Sequence, residues 1–182
     1  MPKRNFFFIY IFLLLLGSLS SFSLPPYNFI FINFLTYSLL LYFIIFFKDK
    51  NAKLSNYFFL GFSFGYGYFL SSLYWVSNSL TFDQQLNFLI PIAILGLPIL
   101  LALFYGVSIL VIYSFIKKDY TFLFIFSISL SGFEYLRGVL FTGFSWNLIS
   151  YSWSSYIESI QILKFIGTYT FNFFSIIIYL KY

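Results

Sequence analysis

Residues 5–47 read NFFFIYIFLLLLGSLSSFSLPPYNFIFINFLTYSLLLYFIIFF, without a single charged side chain. Two apolar runs, 5–22 and 29–47, are separated only by residues 23–28, with Leu24-Pro25-Pro26-Tyr27 at their centre. About 20 apolar residues in a helix cross the hydrocarbon core of a bilayer. The first run follows Met1-Pro2-Lys3-Arg4 and so imitates a secretory signal. No small-x-small cleavage site follows it, and the proline pair leads directly into another apolar run, so a turn between two membrane helices is the better reading.

Moving outward, the same pattern recurs at 57–76, 88–113, 120–136 and 160–180, with polar residues gathered between the runs. The chain has 182 residues, is 61% hydrophobic and 8% charged, and has a mean hydropathy of +0.91. Water-soluble domains carry about 25% charged residues. Ten basic and five acidic side chains cannot coat a soluble fold of this size, whereas lipid requires no such coat. The expected fold class is therefore an all-α membrane protein, a bundle of about six transmembrane helices, with residues 1–182 forming one transmembrane domain. Phe, Ile, Tyr and Asn are abundant, as an AT-rich genome encodes, so the aromatic excess is not read as a ligand surface.

Charge placement orients the chain. Lys3 and Arg4 precede the first run, Lys48, Lys50 and Lys53 follow the second, Lys117 and Lys118 follow the fourth, and Lys181 ends the sixth. Only Arg137 and Lys164 fall on the opposite side. The positive-inside rule puts the N-terminus, the C-terminus and both lysine-bearing loops in the cytoplasm. The net charge of +5 is thus explained by topology. No nucleic acid partner is expected, because that would need a clustered basic face.

The absence of Cys and His removes the thiolate nucleophile, the commonest general base and the usual soft metal ligands. No metal, cofactor or catalytic residue is expected within the chain. In the third run, Gly61, Gly65 and Gly67 carry the small-residue spacing that lets helix backbones approach closely. Pro98, inside the fourth run, removes a backbone hydrogen bond and predicts a kink. Both features read first as helix packing.

The stretch that speaks to function is Phe133-Glu134-Tyr135-Leu136-Arg137-Gly138-Val139-Leu140-Phe141-Thr142-Gly143-Phe144-Ser145-Trp146. Glu134 and Arg137 share a helical face at i, i+3 and can pair. Ionisable groups at the end of a span are costly and point by default to function; a pair that merely makes two interfacial charges tolerable is the alternative. Gly138 and Gly143 are expected to loosen the backbone beyond the helix. The following aromatic and polar alternation suits the headgroup region, where a lipid is handled.

These residues resemble the apolipoprotein N-acyltransferases of bacterial inner membranes, whose membrane region carries a signature like E-x-x-R-G-x-x-x-T-G-F-P-W. Glu134, Arg137, Gly138, Thr142, Gly143, Phe144 and Trp146 stand at those places, with Ser145 where the family usually has Pro. Ser150-Tyr151-Ser152 is similar to the family's following "GYS", Leu24-Pro25-Pro26-Tyr27 to its first outer turn, and Gly61 through Val76 to its glycine-rich third helix. The resemblance covers 1–182. It implies a multi-pass protein of the bacterial inner membrane that moves an acyl chain from a phospholipid donor to the N-terminal diacylglyceryl-cysteine of lipoproteins, the signature lying on the lipid or substrate side. In the family, a nitrilase-like outer domain supplies a Glu-Lys-Cys set, and no residue here matches that set. The chain is expected to be the N-terminal membrane part of a longer enzyme and inactive alone. Two other readings are a membrane anchor module for a polyprenol-phosphate glycosyltransferase, and a small transporter with Glu134 and Arg137 lining a polar path.

Overall fold

The computed structural model describes residues 3–116, 120–140 and 143–181. Lys117, Lys118 and Thr142, on which parts of the topology and signature readings fall, lie outside the described residues, as do the side chains of Lys3 and Arg4.

Helix α1 (Lys3–Ser20) turns through Ser21–Ser23 and the cis Pro25–Pro26 peptide into α2 (Phe31–Asp49). After a short lysine-bearing turn, α3 runs from Leu54 to Leu73. Two stretches of tighter helix, Tyr74–Phe82 and Gln84–Leu89, lead to α4 (Ile90–Val111). Helix α5 covers Tyr120–Val139, two short helices α6 (Ile157–Gln161) and α7 (Leu163–Ile166) follow, and α8 (Thr168–Lys181) is the last described helix. The described residues form helices and loops, with no strand among them.

Among the described residues, four segments are long and apolar enough to cross a membrane: Phe6–Ser23, Phe31–Asp49, Gln84–Phe115 and Tyr120–Val139. The third and sixth runs of the expected six differ from these, for separate physical reasons. Helix α3 has 20 residues, about 30 Å of helix, but its glycines, serines and tyrosines lower its hydropathy. It can carry them because it packs chiefly between α4 and α1, facing protein on both sides. In the run 160–180 the helix breaks at Gly167, which takes φ +76°, so α8 is only 14 residues long.

Large apolar side chains cover the outer surface as well as filling the core. Phe7, Phe8, Leu15, Leu35, Ile92 and Ile128 point outward and are exposed, as expected where the surroundings are hydrocarbon. Ser20, Asn33, Ser108, Ser127, Glu134, Arg137, Ser152 and Asn172 are buried. Lacking a strong hydrophobic drive between helices in lipid, such bundles rely on close packing and interhelical hydrogen bonds. The Ser20 hydroxyl donates to Asn33 Oδ1 (2.7 Å), joining α1 to α2, and Ser129 donates to the Ser108 carbonyl (2.9 Å), joining α5 to α4. Ser38 of α2 donates to the Tyr179 carbonyl of α8 (3.2 Å).

The backbones of α1 and α3 approach closely. A methyl group built on Gly67 would fall on the Leu14 carbonyl, and one built on Gly17 would fall on the Phe64 carbonyl. The Ser18 hydroxyl donates to the Gly67 carbonyl at the same crossing (3.1 Å). Gly61 and Gly65 face the other way, against Tyr105 of α4, and Pro98 is buried within α4. We expect Gly67→Ala to cost about 1–3 kcal/mol by forcing α1 and α3 apart. Gly132→Ala on α5, where a methyl meets nothing within 4 Å, should be neutral or stabilise by up to about 1 kcal/mol. Thermal unfolding of the two variants in detergent, followed by size-exclusion profile, checks the contrast.

Candidate functional site

The site grows from the last two turns of α5. Glu134 and Arg137 are each 1% exposed, and Arg137 Nη2 lies 3.8 Å from Glu134 Oε1. Burying an ionised group is tolerated only where partners replace water. Glu134 finds two from distant helices: the Tyr105 hydroxyl of α4 donates to Oε1 (2.9 Å), and the Asn172 amide of α8 donates to Oε2. One carboxylate thereby ties three helices. Tyr105 is itself seated against Gly61 and Gly65, so the small residues of α3 set where the hydroxyl arrives.

Arg137 turns the other way. Its Nη1 donates to the carbonyls of Phe144 (2.9 Å) and Trp146 (2.8 Å), and the guanidinium lies over the rings of Phe69 (5.0 Å) and Phe144 (5.9 Å). The chain can return onto its own helix end because Gly143 adopts φ +79°, a region costly for side-chain-bearing residues. The Gly143 N–H donates to the Leu140 carbonyl (2.9 Å) and the Phe144 N–H to the Arg137 carbonyl (3.0 Å). Gly138 does not loosen the backbone as the sequence suggested. It lies inside α5, which runs on to Val139, and a methyl there would strike the Tyr169 hydroxyl.

Further anchors hold the returning segment. The Tyr68 hydroxyl of α3 donates to the Asn147 carbonyl (3.1 Å), and the Ser150 N–H donates to Asn172 Oδ1 (2.8 Å). Asn172 thus serves Glu134 with its amide and the loop with its carbonyl. The signature residues divide accordingly: Glu134, Arg137, Gly138, Gly143 and Phe144 come together, whereas the Trp146 side chain is 58% exposed, 5.5 Å from the Trp75 ring. Tyr105, Asn172 and Tyr68 were not singled out from sequence. Asn172 had a signal, an amide in the middle of the last apolar run, but nothing in the sequence names a partner 38 residues away.

Two hollows flank this junction. The larger, about 680 Å³, lies between α4 and α5, walled by Leu97, Leu101, Phe104, Val107 and Phe133, with Arg137 and Phe144 also in its lining. The second, about 450 Å³, is bounded by Trp75, Val76, Phe82 and Trp146, and again by Phe144. Arg137 Nε and Nη2 have no hydrogen-bond acceptor among the described residues; a buried unmet donor costs about 1–3 kcal/mol. The arrangement can fix a loop beside an apolar hollow that Arg137 helps to line. With no Cys or His in the sequence, it has neither a thiol nor an imidazole for covalent acyl transfer.

Fold and site together define a multi-spanning helical membrane module with a buried charge pair at the end of one span. Comparison with known proteins gives the family. The profile described as apolipoprotein N-acyltransferase N-terminal domain matches residues 16–180, and the chain belongs to that family. A protein named apolipoprotein N-acyltransferase from Rickettsia bellii (strain RML369-C) is 39% identical over 123 residues, covering 67% of this chain and 24% of the relative. One from Rickettsia prowazekii (strain Madrid E) is 36% identical over 169 residues, covering 92% and 32%, and one from Rhizobium etli (strain CIAT 652) is 33% identical over 145 residues, covering 74% and 26%. The chain therefore spans only 24% to 32% of the length of these acyltransferases, within their N-terminal region.

Breaking a buried ion pair from one side costs about 3–5 kcal/mol, because it strands the other charge. Arg137→Met should lower stability on that scale, while Glu134→Met/Arg137→Met should lose less than Arg137→Met alone. A double-mutant cycle on melting temperatures in detergent measures the coupling. Strictly additive losses would show that the two side chains do not act as a pair.

Proposed function

We propose that this chain is the membrane part of an apolipoprotein N-acyltransferase, which moves an acyl chain from a phospholipid to the N-terminal diacylglyceryl-cysteine of lipoproteins in the bacterial inner membrane. The observation that carries the reading is the family match over 16–180, within which the signature charges Glu134 and Arg137 are buried together. In this reading residues 1–182 form one transmembrane unit. Glu134, Arg137, Gly138, Thr142, Gly143, Phe144 and Trp146 are its lipid- and substrate-side motif; Gly61, Gly65, Gly67 and Pro98 serve helix packing. Arg137 is a positioning residue that holds the segment bearing Phe144 and Trp146. A thioester intermediate would need a thiol from outside these 182 residues, so the chain alone is expected to transfer no acyl group.

We also propose six crossings with both ends cytoplasmic. Helix α3 is long enough to cross, and only residues 50–53 separate it from α2. It packs along both α1 and α4, which favours a full return through the bilayer. Helix α8, with the short helices before it, provides the last crossing. The Cys-free sequence makes the topology directly testable. Tyr27→Cys and Ser154→Cys should react with an impermeant maleimide in spheroplasts, and Lys50→Cys only after the membrane is opened. Labelling of all three from one side would sink the six-span arrangement.

For the activity, residues 16–180 can replace the matching region of the Rickettsia prowazekii relative. The chimera should triacylate a diacylated lipoprotein, read as a mass shift, and Arg137→Ala within it should slow transfer by about a hundredfold through misplacement of the loop. A chimera that reaches the membrane at the parent's level and transfers nothing would overturn the proposal.

A further inference from the structure

We infer that Asn172 is a positioning residue that fastens residues 149–153 to the Glu134 carboxylate, so that the buried charge pair clamps the outer segment with both of its members. Arg137 takes two carbonyls of that segment. Glu134, through Asn172, takes one of its backbone N–H groups.

This second half of the clamp is a relay of hydrogen bonds whose direction is fixed from more than one side. Asn172 lies in the second turn of α8 and is fully buried. Its Oδ1 accepts the Ser150 N–H (2.8 Å). A backbone N–H can only donate, so the amide oxygen has to face the segment and the amide nitrogen has to face away. Ser131 imposes the same orientation. Its hydroxyl gives its single hydrogen to the Tyr169 carbonyl (3.1 Å), which leaves its oxygen to accept from Asn172 Nδ2 (3.4 Å). Nδ2 therefore meets Glu134 Oε2 as a donor, and the Tyr105 hydroxyl donates to Oε1 (2.9 Å). Both oxygens of Glu134 act as acceptors. A second acid in place of Asn172 would set acceptor against acceptor.

The segment meets α8 at two points, and only the first is tied to the charge pair. Ser150 is held by Asn172, whereas the Ser152 and Tyr179 hydroxyls lie 2.6 Å apart and the Trp153 ring stacks on the Tyr179 ring at 5.9 Å. Asn172 and Tyr179 are seven residues apart, and so share one face of the helix. Tyr151, between the two fastenings, is 38% exposed. Loss of the Asn172 contacts therefore frees the start of the segment while Tyr179 retains its end.

Hydrogen exchange of the 182-residue chain in detergent, at mildly alkaline pH, reads opening of the segment without any turnover. Asn172→Leu keeps the branching of the side chain and removes both polar atoms. It should quicken exchange of residues 149–153 about tenfold, the effect of losing one hydrogen bond, and leave residues 11–17 of α1 unchanged. Asn172→Asp should open the segment equally, because it sets a carboxylate against a carboxylate. Adding Glu134→Gln to Asn172→Asp should return exchange to the wild-type rate, since the new amide on α5 donates to the carboxylate now on α8. A side chain that merely filled space would give no such repair. Wild-type exchange in Asn172→Leu, or failure of Glu134→Gln to repair Asn172→Asp, would overturn the relay. The bearing on acyl transfer rests on the proposed function. In the chimera, Asn172→Leu should slow transfer about tenfold, and the Glu134→Gln/Asn172→Asp pair should restore it. Unchanged transfer by an active chimera carrying Asn172→Leu would remove Asn172 as a positioning residue; a chimera inactive before any substitution counts against the proposed function instead.

Discussion

A carboxylate removed from water has to be answered by donors, and at Glu134 the answer comes from three helices at once. Tyr105, Arg137 and Asn172 converge on it from α4, α5 and α8. No single helix could satisfy the charge, so the cost of burying it is spread over contacts that exist only in the assembled bundle. Buried polar groups rigidify a bundle where their partners are supplied, and each oxygen of Glu134 has a donor from another helix. The glycines of α3 serve the same junction at one remove, because Gly61 and Gly65 give Tyr105 room to stand where its hydroxyl meets the carboxylate.

From this knot the outer segment takes its shape. Arg137 balances the charge of Glu134 and uses its remaining geometry to hold two carbonyls of the returning chain. A lysine could offer only a point charge there, whereas the planar guanidinium reaches both carbonyls and covers an aromatic ring. Gly143 supplies the left-handed turn that makes the return possible. The segment that a membrane protein would present at its surface is therefore held from below, by groups that lie inside the bundle.

Much of this was legible in the sequence, and what was not has physical causes. The apolar runs at 5–22, 29–47, 88–113 and 120–136 announced themselves because lipid-facing helices must be continuously apolar, and these four coincide with segments able to cross a membrane. The pairing of Glu134 with Arg137 followed from i, i+3 spacing on one helix. Helix α3 was harder to rank, since a helix sheltered by neighbours can afford serines and glycines that weaken its signal. Gly167 looked like part of a continuous last helix until its positive φ showed the break. Tyr105 and Asn172 were invisible as partners because hydrogen bonds between helices depend on three-dimensional register, which one-dimensional periodicity does not contain.

Phe144 belongs to the walls of both hollows, and its carbonyl is fastened to Arg137. A residue shared in this way couples the two spaces through one wall, and whatever shifts its backbone anchor on Arg137 alters both at once.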